Sequence, residues 1–160
     1  MLSIKKINTK KTSRLSEEIE LLYIGVFKGF KPEESFRDLN KEDRIALISA
    51  IKVDAFKGDA EKTLSVYGNR NIKRICIYGL GKKQEINSDK LRSYGAKIAH
   101  VSNKKKLKSI DVCIDSFLLK NKTGSQPLVE GLMLGSYFFK EYKSKVNNLL
   151  KLKDVCLIGE

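Results

Sequence analysis

The sequence predicts an α/β fold, a mixed and mostly parallel sheet flanked by helices, on three observations. From residue 40 onward, short apolar runs alternate with segments of three- and four-residue periodicity, the order that layered α/β domains produce. The chain has 160 residues, 41% hydrophobic and 32% charged, with 11 Gly and 2 Pro, a globular composition rather than a disordered or collagen-like one. A single domain spanning 1–160 can bury roughly 70% of the surface its unfolded form exposes, so a real core is available. No repeat or low-complexity segment interrupts the pattern.

Element by element, Ile4 to Ile7 predicts a short edge strand. Glu20 to Phe30, ELLYIGVFKGF, is rich in β-branched and aromatic residues and closes on Gly29 and Pro32, which suits a largely buried strand ending in a turn. Asn40 is a candidate N-cap with Asp43 in the first turn, and Ile45, Leu47, Ile48 and Ile51 follow, predicting a helix of about three turns. Thr63 to Tyr67 and Ile72 to Tyr78 are strands separated by Gly68-Asn69-Arg70-Asn71, a link whose residues tolerate turn conformations and suggest a hairpin. Ser88 offers an N-cap to a helix with apolar positions Leu91, Tyr94, Ile98 and Val101. Ile110 to Ile114 gives a strand, and Gln126-Pro127 opens a long helix from about Leu128 to about Val146. On that helix Leu128, Leu132, Gly135, Phe139 and Tyr142 form one stripe, widened by Val129, Met133 and Phe138. Val155 to Ile158 reads as a final apolar strand with only Gly159 and Glu160 after it, an ending expected of a piece of a larger enzyme.

Lys and Arg number 32 against 19 Asp and Glu, a net charge of +13 that could attract nucleic acid, an anionic membrane or an acidic partner. Only 6 of those cations are Arg, the residue on which bidentate phosphate and base-edge recognition depends, so specific DNA reading is disfavoured. The densest run, Lys104 to Lys106 with Lys108, carries no aromatic for a base to stack on and reads as a solvated loop. Cys76, Cys113 and Cys156 each lie in an apolar run without C-x-x-C spacing, which points to buried, reduced thiols and a cytoplasmic location. The basic N-terminus is followed by no apolar stretch of signal-peptide type, and no uncharged run approaches the roughly 18 residues of a membrane span.

Chemistry-bearing motifs are sparse. Tyr78-Gly79-Leu80-Gly81-Lys82 follows a strand as a dinucleotide loop would, but Gln84 stands where the third glycine belongs and no G-K-[ST] closes a P-loop; a tight strand-exit turn is the better reading. His100 is the single histidine, and no cluster of ligands at metal spacing can be drawn. Asp111 and Asp115 flank an apolar run and read as strand ends meeting solvent rather than an acid/base pair. Gly131 and Gly135 each cost about 1 kcal/mol of helix propensity relative to Ala, so both predict close packing of their helix against a neighbour. Glu130, Glu141 and Lys143 read as solvated. No catalytic, cofactor-binding or metal-binding residue is assigned.

The run Glu130-Gly131-Leu132-Met133-Leu134-Gly135-Ser136-Tyr137-Phe138-Phe139-Lys140-Glu141-Tyr142-Lys143-Ser144 resembles the E-G-L-x-L-G-x-Y-x-F-x-x-Y-K-S helix that closes the N-terminal domain of leucyl (cytosol) aminopeptidases. Ile72 to Lys82 resembles that family's strand ending in G-L-G-K, with Tyr78 in place of a smaller apolar residue. Phe56 to Glu61 resembles its F-x-G-K-x-G-E segment, departing at Asp59 and Ala60. The matches follow the family's order from residue 56 to residue 144. The resemblance marks Gly79, Gly81, Glu130, Gly131, Gly135, Tyr137, Tyr142 and Lys143 as structural motif positions and implies a macrodomain-like unit. It also implies a C-terminal domain holding two divalent metals, zinc or manganese, with an Asn-Thr-Asp-Ala-Glu-Gly-Arg-Leu motif and catalytic Lys and Arg, none of which occurs in this sequence. The family's hexameric assembly implies a role in placement and subunit packing.

The leading expectation is therefore a non-catalytic assembly or regulatory domain, inactive alone, of a cytosolic metallo-aminopeptidase that removes N-terminal residues from peptides. Its partners are its own C-terminal catalytic domain and copies of itself in a hexamer, with no membrane. Two alternatives stand beside it: a stand-alone module for ADP-ribose or a related nucleotide, by fold analogy, and nonspecific nucleic-acid binding through the +13 charge.

Overall fold

Leu22, Ile24 and Val26 point to one side of their strand and Tyr23 to the other, and all are buried, because the strand sits inside a sheet covered on both faces. The computed structural model describes residues 2–7, 18–119, 124–141 and 152–159. Six strands form one sheet: β1 (Ser3–Ile7), β2 (Leu22–Val26), β3 (Thr63–Tyr67), β4 (Arg74–Gly79), β5 (Ser109–Cys113) and β6 (Asp154–Ile158), in the order β1-β6-β5-β2-β4-β3. All neighbours run parallel except β3, which pairs antiparallel with β4. The expected mixed, mostly parallel sheet is thus observed, with Ile4 to Ile7 on one edge and the β3–β4 hairpin on the other.

Among the described residues four α-helices flank the sheet: α1 (Pro32–Ser35), α2 (Lys41–Asp54), α3 (Ser88–Lys104) and α4 (Gln126–Glu141). Each sheet face carries its own core. On one, Leu91, Tyr94 and Ile98 of α3 and Leu128 and Leu132 of α4 cover Tyr23, Cys76, Val112 and Leu157. On the other, Leu47 and Ile51 of α2 with Phe36 and Leu39 cover Leu22, Ile24, Ile75 and Ile77.

Several expectations need correction. The strand expected over Glu20 to Phe30 is only Leu22–Val26, since Lys28 and Gly29 already turn outward. Asn40 caps α2 as expected, its Oδ1 accepting the Asp43 N–H at 2.8 Å, but α2 runs 14 residues, about four turns rather than three. Ile45 is 58% exposed, because it lies on the outer side of α2. Asn87, not Ser88, caps α3, accepting the Lys90 N–H at 2.8 Å; two adjacent residues can cap and only the one with extended backbone does. Val101 and Met133 are exposed rather than part of a buried stripe. α4 opens at Gln126, and the expected end at Val146 lies outside the described residues, as do Tyr142 and Lys143.

Candidate functional site

Gly79 and Gly81, the strand-exit glycines, form a turn whose amides are already taken. Gly79 N–H donates to the Lys62 carbonyl, Leu80 N–H to that of Val26 and Gly81 N–H to that of Gly58, at 2.8, 2.8 and 3.0 Å. A loop that cradles phosphate needs those N–H groups free and convergent, so this loop holds the chain rather than an anion. The glycines are needed for approach. A Cβ on Gly79 would strike the Asp59 carbonyl, and Gly81 has φ +74°, a conformation that favours glycine. The segment Phe56 to Glu61 therefore lies directly against Tyr78 to Gly81. Lys28 pairs with Asp59 at 3.0 Å, and the hydrogen bond and charge of Lys28 hold the Asp59 carboxyl below the usual carboxylate range. Tyr78 is buried between Tyr94 and Phe117, ring centroids 5.4 and 6.2 Å away, and burial raises its phenol pKa.

Gly131 and Gly135 meet the backbone of α3, as their helix cost suggested. A Cβ on Gly131 would strike the Arg92 carbonyl, one on Gly135 the Ala96 carbonyl, and one on Gly95 the Leu128 carbonyl. Three glycines thus let two helix backbones touch. Glu130 is not simply solvated: its Oε2 accepts from Arg92 Nε at 3.0 Å and pairs with Nη2 at 2.9 Å, while Oε1 accepts from Gln126 Nε2 at 2.8 Å. The Gln126 and Arg92 hydrogen bonds hold its carboxyl below the usual range. Tyr137 lies in α4, with its side chain outside the described residues.

A cleft of about 1020 Å³ opens at the carboxyl ends of β2, β5 and β6, beside the point where the sheet's connections diverge, the position at which open α/β sheets bind ligands. Gly25 forms its floor: a Cβ there would crowd Leu80 and Phe117 at 2.9 and 3.1 Å, and its N–H donates to Ser116 Oγ at 2.8 Å while Ser116 Oγ–H donates to the Cys113 carbonyl at 2.5 Å. The rim mixes Lys31, Arg37 and Lys83 with Glu34, Asp38 and Asp115, so neither sign of ligand is selected. Sequence reading missed this cleft, although a glycine inside an apolar strand signals close backbone approach.

The remaining candidates do not converge. Of the three cysteines expected to be buried, Cys76 is, while Cys113 and Cys156 are half-buried, and none is in a disulfide; burial pushes the Cys113 thiol up to about 12, which makes it a poor nucleophile at neutral pH. His100 is exposed on α3; contrary to the reading of Asp111 and Asp115 as strand ends, Asp111 is half-buried in the middle of β5, opposite Leu22 and Cys156, and Asp115 is exposed in the 3-10 turn that follows the strand. Among the described residues no three His, Cys, Asp or Glu side chains form a group that could hold a metal, so the donor set here does not fit the two metals that the resemblance implies. No helix among them is long and apolar enough to cross a membrane.

Residues 23–146 match the model of the cytosol aminopeptidase family, N-terminal domain. The chain belongs to that family. Probable cytosol aminopeptidases of Sulfurihydrogenibium sp. (strain YO3AOP1) and Protochlamydia amoebophila (strain UWE25) are each 30% identical to it, over 96% and 81% of this chain and 30% and 26% of their own length. A tomato leucine aminopeptidase variant superposes with a TM-score of 0.74 at 18% identity, covering 99% of this chain and 32% of that one. The macrodomain of Mycobacterium tuberculosis DarG gives 0.59 at 13% identity, covering 98% of both chains, so the cytosol aminopeptidase N-terminal domain has the macrodomain-like fold that the resemblance implied. The chain spans between a quarter and a third of the length of the curated relatives it matches.

Proposed function

We propose that this chain is the non-catalytic N-terminal domain of a longer cytoplasmic metallo-aminopeptidase, placing and packing a C-terminal domain that holds two divalent metals, zinc or manganese, and removes N-terminal residues from peptides within a hexamer. One observation carries the reading: the family match spans residues 23–146 in a chain that covers only about a third of its relatives. The chemistry of the described residues supports it. Their glycine loop is closed by the domain's own carbonyls, Cys76 is buried, and the Asp59 and Glu130 carboxylates are engaged by Lys28 and Arg92.

The reading as a stand-alone nucleotide module is not favoured, because the amides that would meet a phosphate at the glycine loop are spent on Lys62, Val26 and Gly58, and the macrodomain likeness at 13% identity speaks for fold alone. The test is hydrolysis of a leucyl peptide by the 160-residue chain and by the full-length protein, each with added manganese or zinc. Turnover by the full-length protein alone is expected; turnover by the short chain would overthrow the proposal.

A further inference from the structure

The cleft at the carboxyl ends of β2, β5 and β6 lies at the place where the chain leaves the sheet. β6 is an interior strand, held by β1 on one side and β5 on the other, and its last residues, Ile158 and Gly159, are themselves part of the cleft lining. Both are buried, and a Cβ on Gly159 would press on Ile114 and the Asp115 carboxylate at 2.7 and 2.9 Å. Polypeptide continuing from Gly159 therefore begins inside the cleft. Curated relatives are about three times as long as this chain, and the matched family model is that of an N-terminal domain.

From this geometry we infer that the cleft is the seat of the segment that directly follows residue 160. The inference rests on the reading of the chain as the front part of a longer protein. Volume and lining agree with it. A cleft of about 1020 Å³ matches the bulk of about two turns of helix, a cylinder roughly 11 Å across and roughly 10 Å long. The half-buried apolar groups Phe30, Leu118 and Leu119 line it and lose their remaining water when chain packs on them. The rim's mixed charge suits a polypeptide with side chains of both signs better than a polyanion.

The test uses the full-length protein with single substitutions Ser35→Cys, at an exposed position lining the cleft, and Ser49→Cys and Ser93→Cys, exposed on α2 and α3. Each is alkylated with iodoacetamide and read site by site by peptide mass, so that other thiols do not confuse the result. A seated segment slows labelling of Ser35→Cys at least about tenfold relative to both controls, because reaction then waits for local opening. Labelling of Ser35→Cys at the control rate overturns the inference, as does protection that vanishes on exhaustive dialysis, the mark of a small ligand. Protection that vanishes on dilution indicates a second copy in the cleft and overturns it too. Peptide hydrolysis measured on the same sample separates the outcomes: an active enzyme with an open cleft sinks this inference and leaves the family function standing.

Discussion

At Gly131 two effects of an added methyl oppose each other. Alanine would gain about 1 kcal/mol of helix propensity, but its Cβ would drive into the Arg92 carbonyl and the Ala96 amide, and overpacking of this kind against backbone costs about 1–3 kcal/mol. Backbone cannot rotate away as a side chain can, so Gly131→Ala is expected to destabilise, read as a lower urea midpoint with unchanged slope. Gly124→Ala, where nothing lies within 4 Å of the added carbon, is the control and is expected to be neutral or stabilising. One residue back on the same helix, the Glu130 carboxyl is held below the usual range by Gln126 and Arg92. A depressed carboxyl contributes stability that is complete above the unfolded-state value and is lost as pH falls through the lowered one. Glu130→Gln should therefore flatten the decline of thermal stability as pH falls below the ordinary glutamate range; a decline as steep as in the unsubstituted protein would refute the assignment.

Among the elements, the N-terminus of α2 joins two structures through one buried carboxylate. Asp43 is fully buried, and its Oδ1 accepts from both the N–H and the Nδ2 of Asn69 at 2.9 and 3.1 Å, while Oδ2 accepts from Asn40 Nδ2 at 2.8 Å. Asp43→Ala would leave donors in the β3–β4 turn unmatched, at roughly 2–3 kcal/mol, whereas Asn40→Ala removes one cap, at about 1 kcal/mol. Chemical denaturation of the two variants checks the order, and equal losses would count against the link. The same helix shows what could be read from sequence and what could not. Asn40 as cap was readable because N-capping is local chemistry, and the β3–β4 hairpin because turn residues stand between two β-rich runs. The Asp43–Asn69 link was not, since it joins residues 26 apart and nothing in either local pattern refers to the other. Likewise Gly131 and Gly135 announced a close contact, but not that α3 answers with Gly95. The cleft was hidden for the same reason: its walls come from three strands, α1 and the turn after β5, and no stretch of sequence holds more than a part of it.

At the scale of the whole molecule, a net charge of +13 on 160 residues acts against the folded state, because compaction brings like charges together. Ion pairs offset only part of it. Lys28–Asp59, Lys73–Glu18 and Arg70–Glu42 are pairs between exposed side chains, and pairs of that kind contribute about 0–1 kcal/mol each. Screening therefore weakens small attractions over short distances and a larger repulsion over long ones. The Debye length falls from about 30 Å at 0.01 M salt to about 8 Å at 0.15 M, a change that removes repulsion across the molecule while leaving contacts near 3 Å partly intact. The midpoint of thermal unfolding is thus expected to rise between about 0.01 and about 0.15 M sodium chloride and to change little beyond. Chloride is chosen because sulfate also strengthens apolar burial and would raise the midpoint by another route. A midpoint that falls across that range would mean that the ion pairs, not the excess of lysine, set the electrostatic balance of the fold.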